Sequence, residues 1–197
     1  MGSETVVSAF IKSAGNLEQF PDGSKAEIAI LGRSNAGKST LINAILNKEI
    51  AFVSKTPGKT QLLNFFDFGK SGRIVDFPGY GYAQISKEET KPWTELVEGY
   101  LSTRPNLVGA LVLVDIKRPM TDDETNLLNF LKVHDIPYLL LATKIDKLSK
   151  KDLNRQISSW QNKMHEEVFP ISSRKNIGVD KLRKTIVKNW VETWQKS

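Results

Sequence analysis

The residue pattern with the most definite chemistry is G-x-x-x-x-G-K-[ST], which the chain matches at Gly32-Arg33-Ser34-Asn35-Ala36-Gly37-Lys38-Ser39. The two glycines allow backbone conformations in which successive N–H groups point at phosphate oxygens. Lys38 would neutralise the β- and γ-phosphates of a nucleotide, and the hydroxyl of Ser39 would bind Mg²⁺. We therefore predict a phosphate-binding P-loop at residues 32–39, with Thr40 beside it, rather than a strand–helix turn without a ligand.

A second candidate segment is Asp76-Phe77-Pro78-Gly79. A carboxylate at the end of a strand suits an outer-shell contact to Mg²⁺, and the N–H of Gly79 suits a γ-phosphate. The pattern by itself is a common turn, but its distance after a P-loop favours the phosphate-binding interpretation. Lys38 and Gly79 are therefore predicted to take part in catalysis.

Two further segments could recognise the base of the nucleotide. In Thr143-Lys144-Ile145-Asp146, the carboxylate of Asp146 can accept hydrogen bonds from both N1–H and the 2-amino group of guanine. Adenine offers neither donor, so the buried carboxylate would reject ATP. Lys144 would lie along the base plane. Ser172-Ser173-Arg174 could present a backbone N–H to guanine O6, the alternative being a plain serine turn.

Strands and helices must hold these segments together. Apolar runs of strand length occupy residues 26–31, 62–68, 73–76, 107–115, 137–143 and 168–171, and helical patterns occupy residues 38–47, 91–102, 122–134, 150–164 and 179–195. Their alternation predicts an α/β fold with helices on both faces of a parallel sheet.

The runs at 62–68 and 73–76 are separated by four residues, which is too short for a crossover helix, so they predict a hairpin. We therefore expect a six-stranded, mostly parallel sheet with one antiparallel strand, built as a single P-loop GTPase (G) domain. Residues 26–197 would form this domain, ending in a basic helix, and residues 1–25 would be an N-terminal extension.

In this order, the four segments resemble those of the translation-factor class of GTPases. GTPases of this class also have a threonine in the first switch loop, and in this chain it would lie shortly before residue 62. Thr56 and Thr60 are both candidates. Pro57-Gly58-Lys59-Thr60-Gln61 resembles the P-G-x-T-[RQ] segment of the Era-like GTPases. This resemblance assigns Thr60 to Mg²⁺ and to catalysis, leaves Thr56 in the switch loop, and adds Gly58, Lys59 and Gln61 to the nucleotide site.

Further details resemble the EngB (YihA/YsxC) family of bacterial GTPases, in the TrmE-Era-EngA-YihA-septin-like group. They are the Gly-Arg-Ser-Asn start of the P-loop, the segment at 56–61, the run from Asp76 to Ala83, and threonine in place of asparagine at Thr143. The resemblance implies hydrolysis of GTP to GDP and phosphate, binding to the large ribosomal subunit through its rRNA or proteins during assembly, and a link to cell division and septation.

The rate of hydrolysis is expected to be slow. In many GTPases, the residue directly after the glycine that corresponds to Gly79 is a glutamine, whose side-chain amide orients the attacking water. In this chain the residue at that position is Tyr80. Asn35 stands where potassium-activated Era-like relatives have a potassium-binding asparagine, so K⁺ is a candidate cofactor. The alternative is that Asn35 only braces the P-loop.

Composition excludes several classes of function. With no cysteine the chain has no disulfides, thiolate zinc sites or cysteine nucleophiles, and with two histidines it is a poor candidate for a histidine metal site. The longest apolar run has eight residues, whereas a membrane-spanning helix needs about 20. We find no apolar signal-peptide core near the N-terminus, and expect a cytoplasmic monomer without membrane contact.

Charge is distributed unevenly. The net charge is +6, but residues 144–197 carry 13 Lys+Arg against 6 Asp+Glu. Such a basic region suggests a polyanionic partner such as RNA, and the alternative is a solvated lysine-rich surface.

Two other functions are alternatives to the GTPase switch. One is a P-loop kinase for a small substrate, which the base-recognising T-K-x-D segment argues against. The other is a binding module that is stabilised by nucleotide and has negligible turnover. Stimulation of GTP hydrolysis by ribosomal particles would distinguish the switch from such a module.

Overall fold

The computed structural model describes residues 9–51, 62–79 and 87–194 of the 197-residue chain. These residues form one sheet of seven strands: β1 (Phe10–Ala14), β2 (Ala26–Gly32), β3 (Leu63–Phe68), β4 (Gly72–Asp76), β5 (Leu107–Asp115), β6 (Tyr138–Thr143) and β7 (Val168–Pro170). Their order in the sheet is β1-β3-β4-β2-β5-β6-β7. The sheet therefore has β2, which is buried along its whole length, at its centre.

The predicted α/β fold is confirmed, and the predicted strand count is wrong by one. β3 runs antiparallel to both of its neighbours, β1 and β4, while the other pairs in the sheet are parallel. The additional strand is β1, within the segment that the sequence analysis assigned to an extension. It is an edge strand with alternating exposure and a bulge between Phe10 and Lys12, so it lacks the continuous apolar run that indicates a buried strand.

Helices cover both faces of the sheet, as predicted. The main helices are α1 (Lys38–Leu46), α2 (Lys87–Thr103), α3 (Asp122–Val133), α4 (Lys150–Met164) and α5 (Val179–Ile186). Apolar residues of α2, α3 and α4 share one core cluster, and those of α1 and α5 share the other. β5 serves both cores, because Val112 faces the first and Leu111 faces the second. No helix among the described residues is long and apolar enough to span a bilayer.

The last predicted helix, 179–195, is interrupted. α5 continues into a π-helical segment, Val187–Val191, and a final turn, Glu192–Trp194. This segment places the indole of Trp190 against Gly109 of β5, where a Cβ atom would lie 2.6 Å from the ring. Trp190 is 9% exposed and is therefore a packing residue, and glycine at 109 is what allows the close approach.

A buried carboxylate organises the end of the central strands that lies opposite the P-loop. Glu27, near the start of β2, is fully buried and accepts hydrogen bonds from Arg73 (2.8 Å), Arg104 (2.7 and 2.8 Å) and the hydroxyl of Tyr100 (2.6 Å). Burial, followed by the nearby Glu27 charge, raises the pKa of Tyr100 well above its ordinary value. The carboxylate therefore joins the central strand to β4 and to the end of α2.

The same two arginines also hold the N-terminal segment. Arg104 donates to the carbonyl of Pro21 at 2.6 Å, and Arg73 donates to the carbonyl of Asp22 at 2.8 Å. The chain entering β2 is thus tied to the Glu27 cluster, which we define as Glu27, Arg73, Arg104 and Tyr100.

Replacing Glu27 by alanine should lower the free energy of unfolding by about 3–5 kcal/mol, because the buried guanidinium of Arg73 and the partly buried one of Arg104 lose their counter-charge. The measurement is urea unfolding at neutral pH. Glu98→Ala, at an exposed position of α2, is the matched control and should change the free energy by less than about 0.5 kcal/mol. Equal losses in the two variants would contradict a structural role for the cluster.

Candidate nucleotide-binding site

The P-loop connects the end of β2 to the start of α1, in the strand–loop–helix context that the sequence predicted. Gly37 precedes α1 with φ 102°, and Asn35 also has positive φ, at 64°. Gly32 lies against β5, where a Cβ atom would be 2.7 Å from the carbonyl oxygen of Leu113. Glycine is therefore required for backbone conformation at 37 and for packing at 32.

Lys38 and Asp76 form the charged part of the site. The Lys38 ammonium donates to the carbonyl of Gly32 at 3.1 Å. Burial raises the pKa of Asp76 to about 6, and the Lys38 charge opposes this change. Burial also lowers the pKa of Lys38, with Asp76 acting in the opposite direction. Both groups are held in a poorly solvated place where a phosphate or a cation would compensate their charges.

The site has groups that suit Mg²⁺. Oδ1 of Asp76 is buried and has no hydrogen-bond partner among the described residues. Ser39 lies in the first turn of α1, beside Lys38. Magnesium prefers oxygen ligands and keeps several of its waters, so an unpartnered carboxylate oxygen can accept from a metal-bound water. The residues present fit the cation that a nucleotide would bring.

Gly79 lies directly on the P-loop. A Cβ atom on it would be 2.7 Å from the backbone nitrogen of Ser34 and 3.1 Å from Nζ of Lys38. Any other residue would have to displace the loop. The D-x-P-G segment is therefore in contact with the P-loop, as its predicted role needs.

Phe77, which the sequence analysis included in the site, points into the core. Its side chain is 2% exposed and packs edge-on against Tyr100, with 5.2 Å between the ring centroids. Its backbone N–H donates to the carbonyl of Ile30 in β2. Only its backbone belongs to the site, and Pro78 follows it at partial exposure.

Thr143 and Lys144 hold the P-loop from the end of β6. The hydroxyl of Thr143 lies 2.8 Å from the carbonyl oxygen of Ala36, and the Lys144 ammonium donates to the carbonyl of Asn35 at 2.7 Å. Thr143 is buried, so its hydroxyl satisfies a carbonyl that would otherwise lack a partner. Threonine is thus sufficient to join the T-K-x-D segment to the P-loop.

Asp146 is oriented by the loop after β7. The hydroxyl of Ser172 donates to its Oδ1 at 2.6 Å, and this hydrogen bond is the main cause that lowers the pKa of Asp146. Reciprocal backbone hydrogen bonds between Ser172 and Ile177 close that loop. The carboxylate is therefore ionised at neutral pH and can only accept hydrogen bonds, as pairing with guanine requires.

The neighbours of Asp146 and Ser172 have different surroundings. Ile145 is buried in the core, Ser173 is half-buried and Arg174 is exposed. Among these, Ile145 anchors the short turn that carries Asp146, while Ser173 and Arg174 remain accessible to a ligand.

The side chain of Arg33 is directed away from the phosphate-binding loop. Its guanidinium donates to Asp123 at 3.0 Å and to the hydroxyl of Thr121 at 3.3 Å, both at the start of α3. Only the backbone of Arg33 is part of the P-loop. The side chain instead ties the loop to α3.

Two positioning residues were missed by the sequence analysis. Asp115 accepts from Lys144 at 2.8 Å, and its signal was a carboxylate directly after the apolar run of β5. Asn43 of α1 bonds the backbone of Ile50 and Ala51 at 2.7–3.0 Å. It fixes the chain just before residue 52. The predicted residues Thr56, Gly58, Lys59, Thr60, Gln61 and Tyr80 lie outside the described residues.

Comparison with known proteins agrees with this geometry. A family model described as "50S ribosome-binding GTPase" matches residues 27–144. A probable GTP-binding protein EngB from Bdellovibrio bacteriovorus is 41% identical over 98% of this chain and 100% of its own length. Its counterpart from Streptococcus pneumoniae is 42% identical over 85% of this chain and 89% of its own length.

Solved structures give the same result. A crystal structure of a probable GTP-binding protein EngB superimposes with a TM-score of 0.69 at 25% identity, covering 83% of this chain and 97% of that one. Era in complex with MgGDPNP and nucleotides 1506–1542 of 16S ribosomal RNA superimposes with a TM-score of 0.66 at 28% identity, covering 85% of this chain and 57% of Era.

In the ligand-free protein, Asp76→Asn should increase stability at neutral pH. The folded-state pKa of about 6 lies above the ordinary 3.8, so the folded protein binds the extra proton between these values and loses stability as pH rises through them. The stability gain of the variant over wild type should grow by about 2 kcal/mol between pH 4 and pH 7. Urea unfolding across this range measures it.

Asp122→Asn, at an exposed position of α3, is the control for this experiment and should show a nearly constant difference from wild type. A difference for Asp76→Asn that is equally independent of pH would contradict the perturbed carboxyl group.

Proposed function

Because this chain belongs to the EngB family of GTP-binding proteins and carries its GTPase domain, we propose that it is a GTP-driven switch in the assembly of the large ribosomal subunit. It hydrolyses GTP to GDP and phosphate. The choice of guanine nucleotide is supported by one observation, the ionised carboxylate of Asp146. Ser172 orients this carboxylate, and the T-K-x-D segment that ends in Asp146 is also bonded to the P-loop through Thr143.

Guanine recognition follows from the acceptor-only character of Asp146. One carboxylate oxygen accepts from Ser172, and each carboxylate oxygen has capacity for a further hydrogen bond. Guanine presents N1–H and the 2-amino group as adjacent donors, and adenine presents neither. The desolvated carboxylate would lose its contacts with water and gain none from adenine, which disfavours ATP. This also argues against the alternative of a small-substrate kinase.

The phosphate end would be bound by the P-loop backbone and by Lys38, with Mg²⁺ near Ser39, Asp76 and Thr60. Bound Mg²⁺ would neutralise charge on the phosphate oxygens. The P-loop N–H groups would orient the phosphates, Lys38 would compensate their charge, and the N–H of Gly79 would bind the γ-phosphate. In this account the surroundings of Asp76 and Gly79 change when the γ-phosphate is bound, because both residues lie next to Lys38.

Intrinsic hydrolysis is proposed to be slow because the chain supplies little charge of its own to the reacting phosphate. Tyr80 stands at the water-orienting position of many GTPases. Arg33, the arginine within the P-loop, is bonded to Asp123 and Thr121 and is therefore not an arginine finger in cis. The missing charge would come from a ribosomal partner or from K⁺ bound through Asn35, whose side chain is exposed.

The ribosomal partner is proposed from the family and from one neighbour. The matching family model is described as ribosome-binding, and Era of similar fold was solved with ribosomal RNA. We infer the large subunit, through its rRNA or proteins, as the partner of this chain, and a contribution to cell division and septation. The protein would act in the cytoplasm as a monomer.

Asp146→Asn should change the nucleotide preference from guanine to xanthine. Xanthine carries an acceptor where guanine carries the amino donor, so it matches the asparagine amide. We expect GDP affinity to fall, and XDP affinity to rise, by about two orders of magnitude each. Competition titrations with GDP, XDP and ADP measure this change. Glu167→Gln, at an exposed position, is the control, and wild-type binding of ADP as tightly as GDP would refute the assignment.

Hydrolysis should depend on a cation or a partner. In single-turnover assays at equal ionic strength, wild-type protein in Na⁺ should be slow, and large ribosomal subunits should accelerate it by about tenfold or more. If Asn35 binds K⁺, acceleration by K⁺ should disappear in Asn35→Ala while stimulation by subunits remains. Fast hydrolysis in Na⁺ without subunits would contradict the slow switch.

A further inference from the structure

The C-terminal helical segment presents one face to the core and another to solvent. Val179, Leu182 and Ile186 of α5 are buried against α1 and the sheet. Three lysines, Lys181, Lys184 and Lys188, are exposed on the outer side at helical spacing. We call these three residues the lysine ridge.

The ridge carries a high density of positive charge that the chain does not neutralise. The three lysines, together with Thr185 and Asn189, line an open groove of about 470 Å³. Within the part of the chain that the structure describes, none of the three lysines forms an ion pair. Lys181 is held by its position over the ring of Phe169, at 5.3 Å from the ring centroid.

Arg183, in the middle of the same segment, has a different role. Its guanidinium donates to the carbonyls of Ala44 and Ile45 at 2.8 and 2.9 Å, and to Asp180 at 2.9 Å. It caps the C-terminal end of α1, where helix carbonyls lack partners. Arg183 is therefore a structural residue. It also forms an ion pair with Asp180, the acidic residue nearest to the ridge in sequence.

We propose that the lysine ridge binds the phosphate backbone of RNA, and this inference rests on the proposed ribosomal function. The ridge extends about 10 Å along the helix axis. Over this length, one strand of a duplex presents about three phosphates. The hydroxyl of Thr185 and the amide of Asn189 are further donors of the kind that contact phosphate oxygens.

The chemistry of the groove favours a nucleic-acid backbone over a lipid surface or an apolar protein interface, and the proposed ribosomal function makes RNA the partner. All five lining residues are polar, and none is an aromatic or aliphatic side chain that could insert into lipid or form the apolar centre of a protein interface. Lysine acts as a point charge without the planar geometry that reads base edges. The ridge therefore suits the backbone of RNA without a preference for base sequence.

The test measures binding of a fluorescein-labelled 20-base-pair RNA duplex by the full-length, GDP-loaded protein between 50 and 200 mM KCl. The ridge variant is Lys181→Glu/Lys184→Glu/Lys188→Glu. The control variant, Lys150→Glu/Lys151→Glu/Lys163→Glu, makes the same charge change at exposed positions of α4. GDP affinity and circular dichroism, expected to match wild type, verify that both variants are folded.

The ridge variant should bind RNA about tenfold or more weakly, and the slope of log K against log salt should fall by about two to three. The control variant should keep most of the wild-type slope. Equal loss in both variants would overturn the proposal in favour of a general effect of net charge. Wild-type protein that binds phosphatidylglycerol vesicles but not RNA would overturn it in favour of a lipid surface.

The proposed role of the lysine ridge can be wrong while the proposed ribosomal function is right. If the ridge variant keeps GTP hydrolysis and still binds large ribosomal subunits like wild type, the ridge is wrong and the ribosomal switch stands. If wild-type protein neither binds the subunits nor is stimulated by them, the proposed function fails, whatever the RNA duplex shows.

Discussion

Two hydrogen bonds between β6 and the P-loop determine the geometry of the nucleotide site. Thr143 binds the carbonyl of Ala36, and Lys144 binds that of Asn35. They join the part that would recognise the base to the part that would hold the phosphates, although these parts are more than 100 residues apart in the chain. Asp115 then fixes Lys144. Buried carbonyls need partners, so this link also contributes to stability.

Buried charge is arranged in opposite ways at the two ends of the central strands. Where β2 starts, Glu27 is surrounded by donors that compensate its charge. At the P-loop end, Asp76 has a carboxylate oxygen without a hydrogen-bond partner among the described residues, and its pKa is raised. The first arrangement stabilises the fold. The second makes the ionised form of Asp76 unfavourable in the ligand-free protein, and perturbed carboxyl groups of this kind are typical of functional sites.

The α/β class, the P-loop and the hairpin that makes one strand antiparallel could be predicted from sequence, because each depends on local pattern and spacing. β1 was missed because an edge strand has no continuous apolar run. The inward position of Phe77 and the path of the Arg33 side chain depend on contacts with Tyr100 and α3, which are distant in sequence. Local pattern predicted the segments of the candidate site, and tertiary contacts decide which of their side chains point into the core or toward a neighbouring helix.

The cap that Arg183 places on α1 has a consequence for the order in which the protein matures. The P-loop is synthesised long before Ser172, which orients Asp146, and before Arg183, which caps the helix that follows the P-loop. A nascent chain that still has these residues inside the ribosomal exit tunnel carries an incomplete site. Contacts from Ser172 and Arg183 therefore complete the site only after the P-loop and Asp146 have been made, and a chain that stopped before residue 172 would lack both contacts.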